Sequence, residues 1–195
     1  MFARTERLLL RPSWPEDAEA LHRAACDEAI ARNLAMVPWP YTLDDARSFA
    51  ALDQDPLYPN FLLLQRTDGA PRIIGSCGLV AREGGAEIGY WIARPYWGLG
   101  YASEAARAVV SIARAIGHRR LISGHFTDNP ASGRVLRKIG FRPTGEVVLR
   151  HSAGRGSKVP CALYEMPLAE EDGFAGRDYD APDPVMPYDA QPMAA

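Results

Sequence analysis

The chemically suggestive residues of this chain are small ones. Gly98, Gly100, Ala102 and Ser103 lie between an apolar strand-like run and a helical pattern. A loop without bulky side chains lets its backbone approach a ligand closely. The helix start behind it offers unpaired N–H groups and the positive end of the macrodipole. In physical terms that is a place for a pyrophosphate. The Walker loop needs Gly-Lys-Ser/Thr, and no lysine is present here. The dinucleotide fingerprint needs a third glycine where Ser103 stands, and the acidic residue it expects further on is lacking. From the loop alone, a phosphate cradle and a plain strand-to-helix turn both stay open. Metal chemistry has little support. There is no CxxC or HExxH, the four histidines are scattered, and Cys26, Cys77 and Cys161 are far apart.

The elements that must position this loop follow from periodicity. Residues 5–11 read as a strand closed by Pro12, and Ser13 with Glu16 has capping-box spacing for a helix that runs toward residue 35. Trp39-Pro40-Tyr41 reads as a rigid aromatic loop, and Thr42 with Asp45 caps a second helix. Runs 61–65 and 73–80, parted by Thr67-Asp68-Gly69-Ala70-Pro71, predict an antiparallel hairpin. The next strand, 86–92, places Glu87, Gly89 and Trp91 on one face and Ile88, Tyr90 and Ile92 on the other. A helix over 103–116 carries an Ala105, Val109, Ile112, Ile116 stripe and stops at Gly117. Strand 121–125 precedes a helix capped by Asp128 or Asn129, with Pro130 first and Gly140 at its end. Two strands, 144–150 and 159–167, complete the order βααβββαβαββ.

The chain has 195 residues, 47% of them hydrophobic and 24% charged, as expected of a soluble globular protein. Its formal charge of −2 is uneven: 170–195 holds seven acids against one base, leaving 17 acids and 21 bases elsewhere. We therefore expect a domain over 1–168 and an acidic, proline-containing tail over 169–195, disordered or acting as a docking arm. No apolar run approaches the roughly 20 residues of a membrane helix, and Leu8-Leu9-Leu10 is too short for a signal-peptide core. Near-neutral charge argues against nucleic acid as a partner. The expectation is a cytoplasmic protein with reduced thiols, a monomer or a homodimer.

Taken together, Glu87-Ile88-Gly89-Tyr90-Trp91-Ile92, Tyr96-Trp97-Gly98-Leu99-Gly100-Tyr101-Ala102-Ser103-Glu104-Ala105, and Asn129-Pro130-Ala131-Ser132 leading to Ile139-Gly140-Phe141 resemble the GNAT superfamily of acetyl-CoA-dependent N-acetyltransferases. Within it the chain is similar to the branch of ribosomal-protein N-terminal acetyltransferases. The resemblance covers nearly all of 5–168, element order included, and implies the GNAT acyl-CoA N-acyltransferase fold. That fold is of mixed α+β class, with a central, twisted, mostly antiparallel sheet flanked by helices. The superfamily loop, Gln/Arg-x-x-Gly-x-Gly/Ala, falls on Trp97-Gly98-Leu99-Gly100-Tyr101-Ala102, with Trp97 departing from its first position.

The resemblance further implies acetyl-CoA as cosubstrate, held by Trp97, Gly98, Leu99, Gly100, Tyr101, Ala102 and Ser103 at the pyrophosphate. Backbone groups of Trp91, Ile92 and Ala93, with Asn129 and Ser132, would hold the pantetheine arm. A primary amine, on a peptide N-terminus or a small molecule, would take the acetyl group directly in a ternary complex. Deprotonating a lysine amine at pH 7 costs about 4.6 kcal/mol, against about 1.4 for an α-amine. Glu87 is the candidate general base, with His125 and Glu146 behind it. Leu136 stands where many relatives carry a leaving-group tyrosine, so Ser132 is the polar group left to meet the sulfur. Arg134, Arg137 or Lys138 would face the 3′-phosphate, and Trp39, Tyr41, Glu87 and Arg150 the acceptor. The alternative is a catalytically inactive acyl-CoA-binding or regulatory module of the same fold.

Overall fold

In β3 (Asn60–Gln65), Phe61 and Leu63 enter one hydrophobic cluster while Leu62 and Leu64 enter another. A strand buried on both faces must lie inside a sheet covered from both sides. The structure, a computed structural model, describes residues 1–168, and the expected acidic tail lies outside the described residues. Besides β3 the sheet contains β1 (Ala3–Arg4), β2 (Leu8–Arg11), β4 (Arg72–Arg82), β5 (Gly85–Ile92), β6 (Arg120–Phe126), β7 (Arg142–Ser152) and β8 (Ser157–Pro167). Their spatial order is β1-β2-β3-β4-β5-β6-β8-β7. Every neighbouring pair is antiparallel except β5 and β6.

On one face, α4 (Tyr101–Ala115) packs on β4 and β5, and α5 (Pro130–Lys138) packs on β6. Ala105, Ala106, Val109, Val110 and Ala113 are the buried side of α4. Enclosing a side chain such as Val109 stabilises the fold by roughly 1.5–3 kcal/mol. The expected stripe is present, with Ile112 and Ile116 packed at its margin. Gly117, at φ 92°, ends the helix, and its N–H donates to the Arg114 carbonyl at 3.0 Å. On the opposite face, α1 (Ala18–Ala25) and α3 (Leu43–Ala50) enclose Leu21, Tyr41, Ala46, Leu62 and Leu64. Thr42 and Asp45 form the expected capping box. No helix among the described residues is long and apolar enough to cross a membrane.

Two local expectations shift. The first long helix breaks at Cys26, and Asp27 caps a separate short α2 (Glu28–Ala31), its carboxylate accepting from Ala29 N–H at 2.8 Å. A short carboxylate that can bond nearby backbone competes with helix continuation. The N-terminal cap also falls elsewhere. Asp17, not Glu16, closes the turn by accepting from Trp14 N–H at 2.8 Å, while Arg11 binds both its oxygens at 2.7 Å.

Arg11 and Asp17 are each about 10% exposed at the side chain. Burial disfavours the ionised Asp17, but Arg11 and the Trp14 N–H outweigh it and hold the carboxyl below the usual range. The stabilisation is therefore complete above the unfolded pKa of about 3.9 and is lost as pH falls through the folded value. Asp17→Asn should cost about 3 kcal/mol at pH 7, because it leaves Arg11 buried without its counter-charge. Denaturant titrations of both proteins should show that gap narrowing as the pH is taken below about 3.9.

Candidate functional site

β4 and β5 pair from Gly75↔Ile92 to Arg82↔Gly85, whereas β5 and β6 pair only at Ala86↔Leu121 and Glu87↔Ile122. Beyond Glu87 the two strands part. Ala93 N–H donates to the Ile74 carbonyl of β4 at 2.7 Å, and Ile88 accepts from Ser123 Oγ of β6 at 2.9 Å. Alternation along β5 therefore turns the backbone of Tyr90 and Ile92 toward the gap and that of Trp91 toward β4. The gap widens into a cleft of about 410 Å³ that runs from α2, past β5, to the starts of α4 and α5.

At one end of the cleft is the glycine loop. Gly98 (φ 76°) and Gly100 (φ 85°) hold conformations that disfavour any side chain, and Gly100 is the N-cap of α4. Glu104 N–H is bonded to the Gly100 carbonyl at 3.1 Å, so the N–H groups of Tyr101, Ala102 and Ser103 precede the helical ladder. The Trp97 indole N–H donates to the Ile92 carbonyl at 2.6 Å, folding the loop back onto β5. The loop is also clamped from β2's approach. Glu104 accepts from Thr5 Oγ1 at 2.6 Å and from Arg7 N–H and Nε, and Arg7 Nη1 donates to the Leu99 carbonyl at 3.0 Å. Burial works against the ionised Glu104, yet Thr5 and Arg7 hold it below the usual carboxylate range.

At the other end is α5. The Asn129 side-chain oxygen caps it, accepting from Ser132 N–H at 3.3 Å. Ser132 lines the cleft and its hydroxyl lies 3.0 Å from the Tyr90 hydroxyl. Arg134 and Lys138 line the cleft as well, while Arg137 turns away to the Tyr164 hydroxyl at 2.7 Å. Among the described residues no carboxylate lines the cleft. Its charge comes from two cations and two helix starts, which is a field for an anion.

The structure thus gathers Trp91, Ile92, Trp97, Gly98, Gly100, Tyr101, Ala102, Ser103, Asn129 and Ser132 around one space. Leu99 is exposed and offers its carbonyl to Arg7; Ala93 spends its N–H on β4 and does not line the cleft. Glu87 and Arg150 lie outside the lining. Glu87 is bound by Arg150 through both oxygens, Nη2 to Oε2 at 2.6 Å, and by Arg82 Nε at 2.9 Å. Burial penalises its charge, but the two guanidinium groups prevail and keep it ionised below the usual range. Gly89, on the same face of β5 as Glu87 and Trp91, leaves open space where a side chain would project. Tyr41 is 7% exposed within the second cluster, and Trp39 is 39% exposed. His125 packs beneath Gly133 of α5, its Nδ1 2.8 Å from the Phe126 carbonyl, and Glu146 is exposed on β7. Tyr90, Tyr96, Ile30, Arg7 and Glu104 are among the site residues that sequence reasoning missed. Tyr90 was visible in the strand, but its alternation with Ile88 and Ile92 reads as core.

A family model described as the acetyltransferase (GNAT) domain matches residues 7–142. The chain belongs to the GNAT acetyltransferases. It is 34% identical over 169 residues, 83% of this chain and 94% of the relative, to the uncharacterized N-acetyltransferase YoaA of Bacillus subtilis. Among solved structures, a GNAT-family acetyltransferase of Bacillus anthracis superposes with a TM-score of 0.72 at 26% identity, covering 86% of this chain and 98% of that one. RimL, a ribosomal L7/L12 α-N-protein acetyltransferase solved with coenzyme A, superposes at 0.73 with 20% identity over 86% and 98% of the two chains, which shows a shared fold.

The Glu87–Arg150 pair is mostly screened from water, with side-chain exposures of 13% and 27%. Glu87→Gln should cost on the order of 2 kcal/mol in thermal denaturation at pH 7, because it strands two guanidinium groups. Adding Arg150→Met should restore part of that loss, since an apolar replacement of both partners removes the desolvation cost along with the attraction.

Proposed function

We propose that the chain transfers the acetyl group of acetyl-CoA directly to a primary amine of low pKa, an α-amine above all. The observation that carries this is the cleft that opens where β5 leaves β6 and ends on the Gly98–Gly100 loop and the start of α4, lined by Arg134 and Lys138 and, among the described residues, by no carboxylate. In this reading the pyrophosphate takes the N–H groups of Tyr101, Ala102 and Ser103 and the loop backbone. The pantetheine arm follows the β5 edge at Tyr90 toward Ile92, whose carbonyl the Trp97 indole already occupies, with Asn129 beside it. Arg134 and Lys138 supply positive charge toward the 3′-phosphate. In the reaction the amine nitrogen bonds to the acetyl carbon, the carbon–sulfur bond breaks, the nitrogen sheds a proton and coenzyme A leaves.

The preference for an α-amine rests on Glu87. Its two oxygens already serve Arg150 and Arg82, and its lowered pKa makes it a feeble base. Glu87 then serves the fold as the counter-ion of Arg150 and Arg82, and the acceptor must lose its proton mostly by its own acidity. Near pH 7 that handicaps a lysine amine relative to an α-amine by about 3 kcal/mol, on the order of 100-fold in rate. A peptide N-terminus or a small α-amino compound, entering over Gly89 between Glu87 and Trp91, meets this condition.

Acetyl-CoA should raise the melting temperature, and coenzyme A thiol should appear only when an amine is added. Gly100→Val, which puts a branched side chain at φ 85° in the loop, should abolish the acetyl-CoA shift. Matched peptides offering a free α-amine or only a lysine amine should differ on the order of 100-fold in thiol release at pH 7. Stabilisation by acetyl-CoA without thiol release across a broad amine panel would instead identify a binding module. Lysine amines reacting as fast as α-amines would remove the acceptor assignment.

A further inference from the structure

The side chain of Tyr90 reaches across the gap that forms the cleft. It leaves β5 on the same face as Ile88 and Ile92, and its hydroxyl meets the first turn of α5, 3.0 Å from Ser132 Oγ and 3.1 Å from the Ser132 carbonyl. Both residues line the cleft. Leu136, one turn further along α5, is fully buried and offers no polar group. Ser132 is therefore the side-chain hydroxyl on α5 that faces the cleft, and the Tyr90 hydroxyl is bonded to it.

We propose that Tyr90 is a positioning residue for acetyl transfer: its phenol holds the Ser132 hydroxyl so that the serine donates a hydrogen bond to the departing sulfur. The proposal rests on the acetyl-transfer reading above.

Two hydroxyl protons, those of Tyr90 and Ser132, have alternative places to go. A serine hydroxyl has one donor and two acceptor sites. When the Tyr90 O–H donates to Ser132 Oγ, the serine proton is free to point into the cleft. When Tyr90 donates to the Ser132 carbonyl instead, the serine proton points back at the phenol oxygen. A sulfur gaining negative charge selects the first arrangement, because a hydrogen bond to an ion is roughly twice as strong as one between neutral groups. Burial pushes the Tyr90 phenol well above its ordinary pKa, with Ser132 opposing only in part. Tyr90 therefore keeps its proton at neutral pH and remains a donor.

The same property excludes proton transfer from Tyr90. A thiolate of pKa about 8.5 does not take a proton from a phenol held above 10. The balance of the step is simple. As the nitrogen–carbon bond forms, the carbon–sulfur pair of electrons leaves on sulfur. The Ser132 O–H and the positive start of α5 stabilise that charge. The proton shed by nitrogen goes to water, and coenzyme A departs as thiolate or is protonated by water.

Tyr90→Phe, Ser132→Ala and the double variant should be compared with the parent by steady-state kinetics, with acetyl-CoA affinity measured separately by calorimetry. Each single variant should lower kcat by 10- to 100-fold while the affinity for acetyl-CoA changes less than threefold. The double variant should be scarcely slower than either single one, because both remove the same hydrogen bond to sulfur. A Tyr90→Phe enzyme with parental kcat would overturn the proposal, as would single effects that multiply in the double variant. A loss confined to acetyl-CoA affinity would make Tyr90 part of the cleft wall and overturn it too. Should Tyr90→Phe fail to fold, Ser132→Ala still decides, since an unchanged kcat there refutes the proposal. Turnover by the parent, measured in the same assay, separates the two readings. A parent without turnover on any amine removes the acetyl-transfer reading and this inference with it, whereas parental turnover with unaltered variants removes this inference alone.

Discussion

The parallel junction between β5 and β6 is two residue pairs long, and the rest of the molecule is arranged around its brevity. A sheet that stops pairing leaves backbone donors and acceptors without partners, which in an interior is costly unless solvent or ligand satisfies them. Here the interruption lies at the start of a cleft rather than in the core. Ser123 satisfies Ile88, the Trp97 indole satisfies the Ile92 carbonyl, and the remaining edge faces open space. The helices α4 and α5 follow β5 and β6 respectively, so parting the strands also aims two helix starts into the same opening. One interruption thereby produces both a polar groove for an extended chain and a positive end for an anion.

The two sides of β5 are electrostatically unlike. Among the described residues the cleft side holds Arg134 and Lys138 and no carboxylate, and its neutral hydroxyls, Tyr90 and Ser132, satisfy each other. The other side holds Glu87 between two guanidinium groups, a charge cluster that is already neutralised in large part. A carboxylate so engaged is a structural anchor between β5 and β7 before it is anything else, and chemistry assigned to it must be reconciled with that bond. The hydroxyl pair ties β5 to α5 without a buried charge, so it can exchange partners at far smaller cost than Glu87 can.

Much of this was readable in the residues. The alternation of 86–92, the small residues after Trp97 and the Asn129-Pro130 start of α5 placed the strand, the loop and the second helix, because each depends on short-range chemistry. The Thr42–Asp45 cap was legible for the same reason. What escaped was tertiary. Asp27 breaks a helical pattern that continues on either side of it, and nothing local announces that its carboxylate will cap a new turn. Arg7 and Glu104 are far apart in the chain, and their pairing depends on β2 lying beside the α4 start. Tyr90 occupies a position whose alternation spells core, and only the packing of α5 against β6 shows that its hydroxyl emerges at the cleft. Trp91 and Ala93 were placed on the ligand edge by likeness to a family, while the β4 register gives that edge to Tyr90 and Ile92.

The clamp on the glycine loop has a practical meaning for handling this molecule. Terminal residues are usually where a domain tolerates fusion, trimming or a purification handle. In this chain Thr5 and Arg7 are joined to Glu104 and Leu99 across almost a hundred residues of sequence, so the first strand turn is part of the loop's scaffold. An appendage that tugs at residues 3–7 would be felt at Gly98–Gly100. The opposite end of the described chain is held too: Leu168 is buried in the cluster that contains Tyr101 and the inner side of α4, and its backbone N–H donates to the Arg119 carbonyl at 2.9 Å.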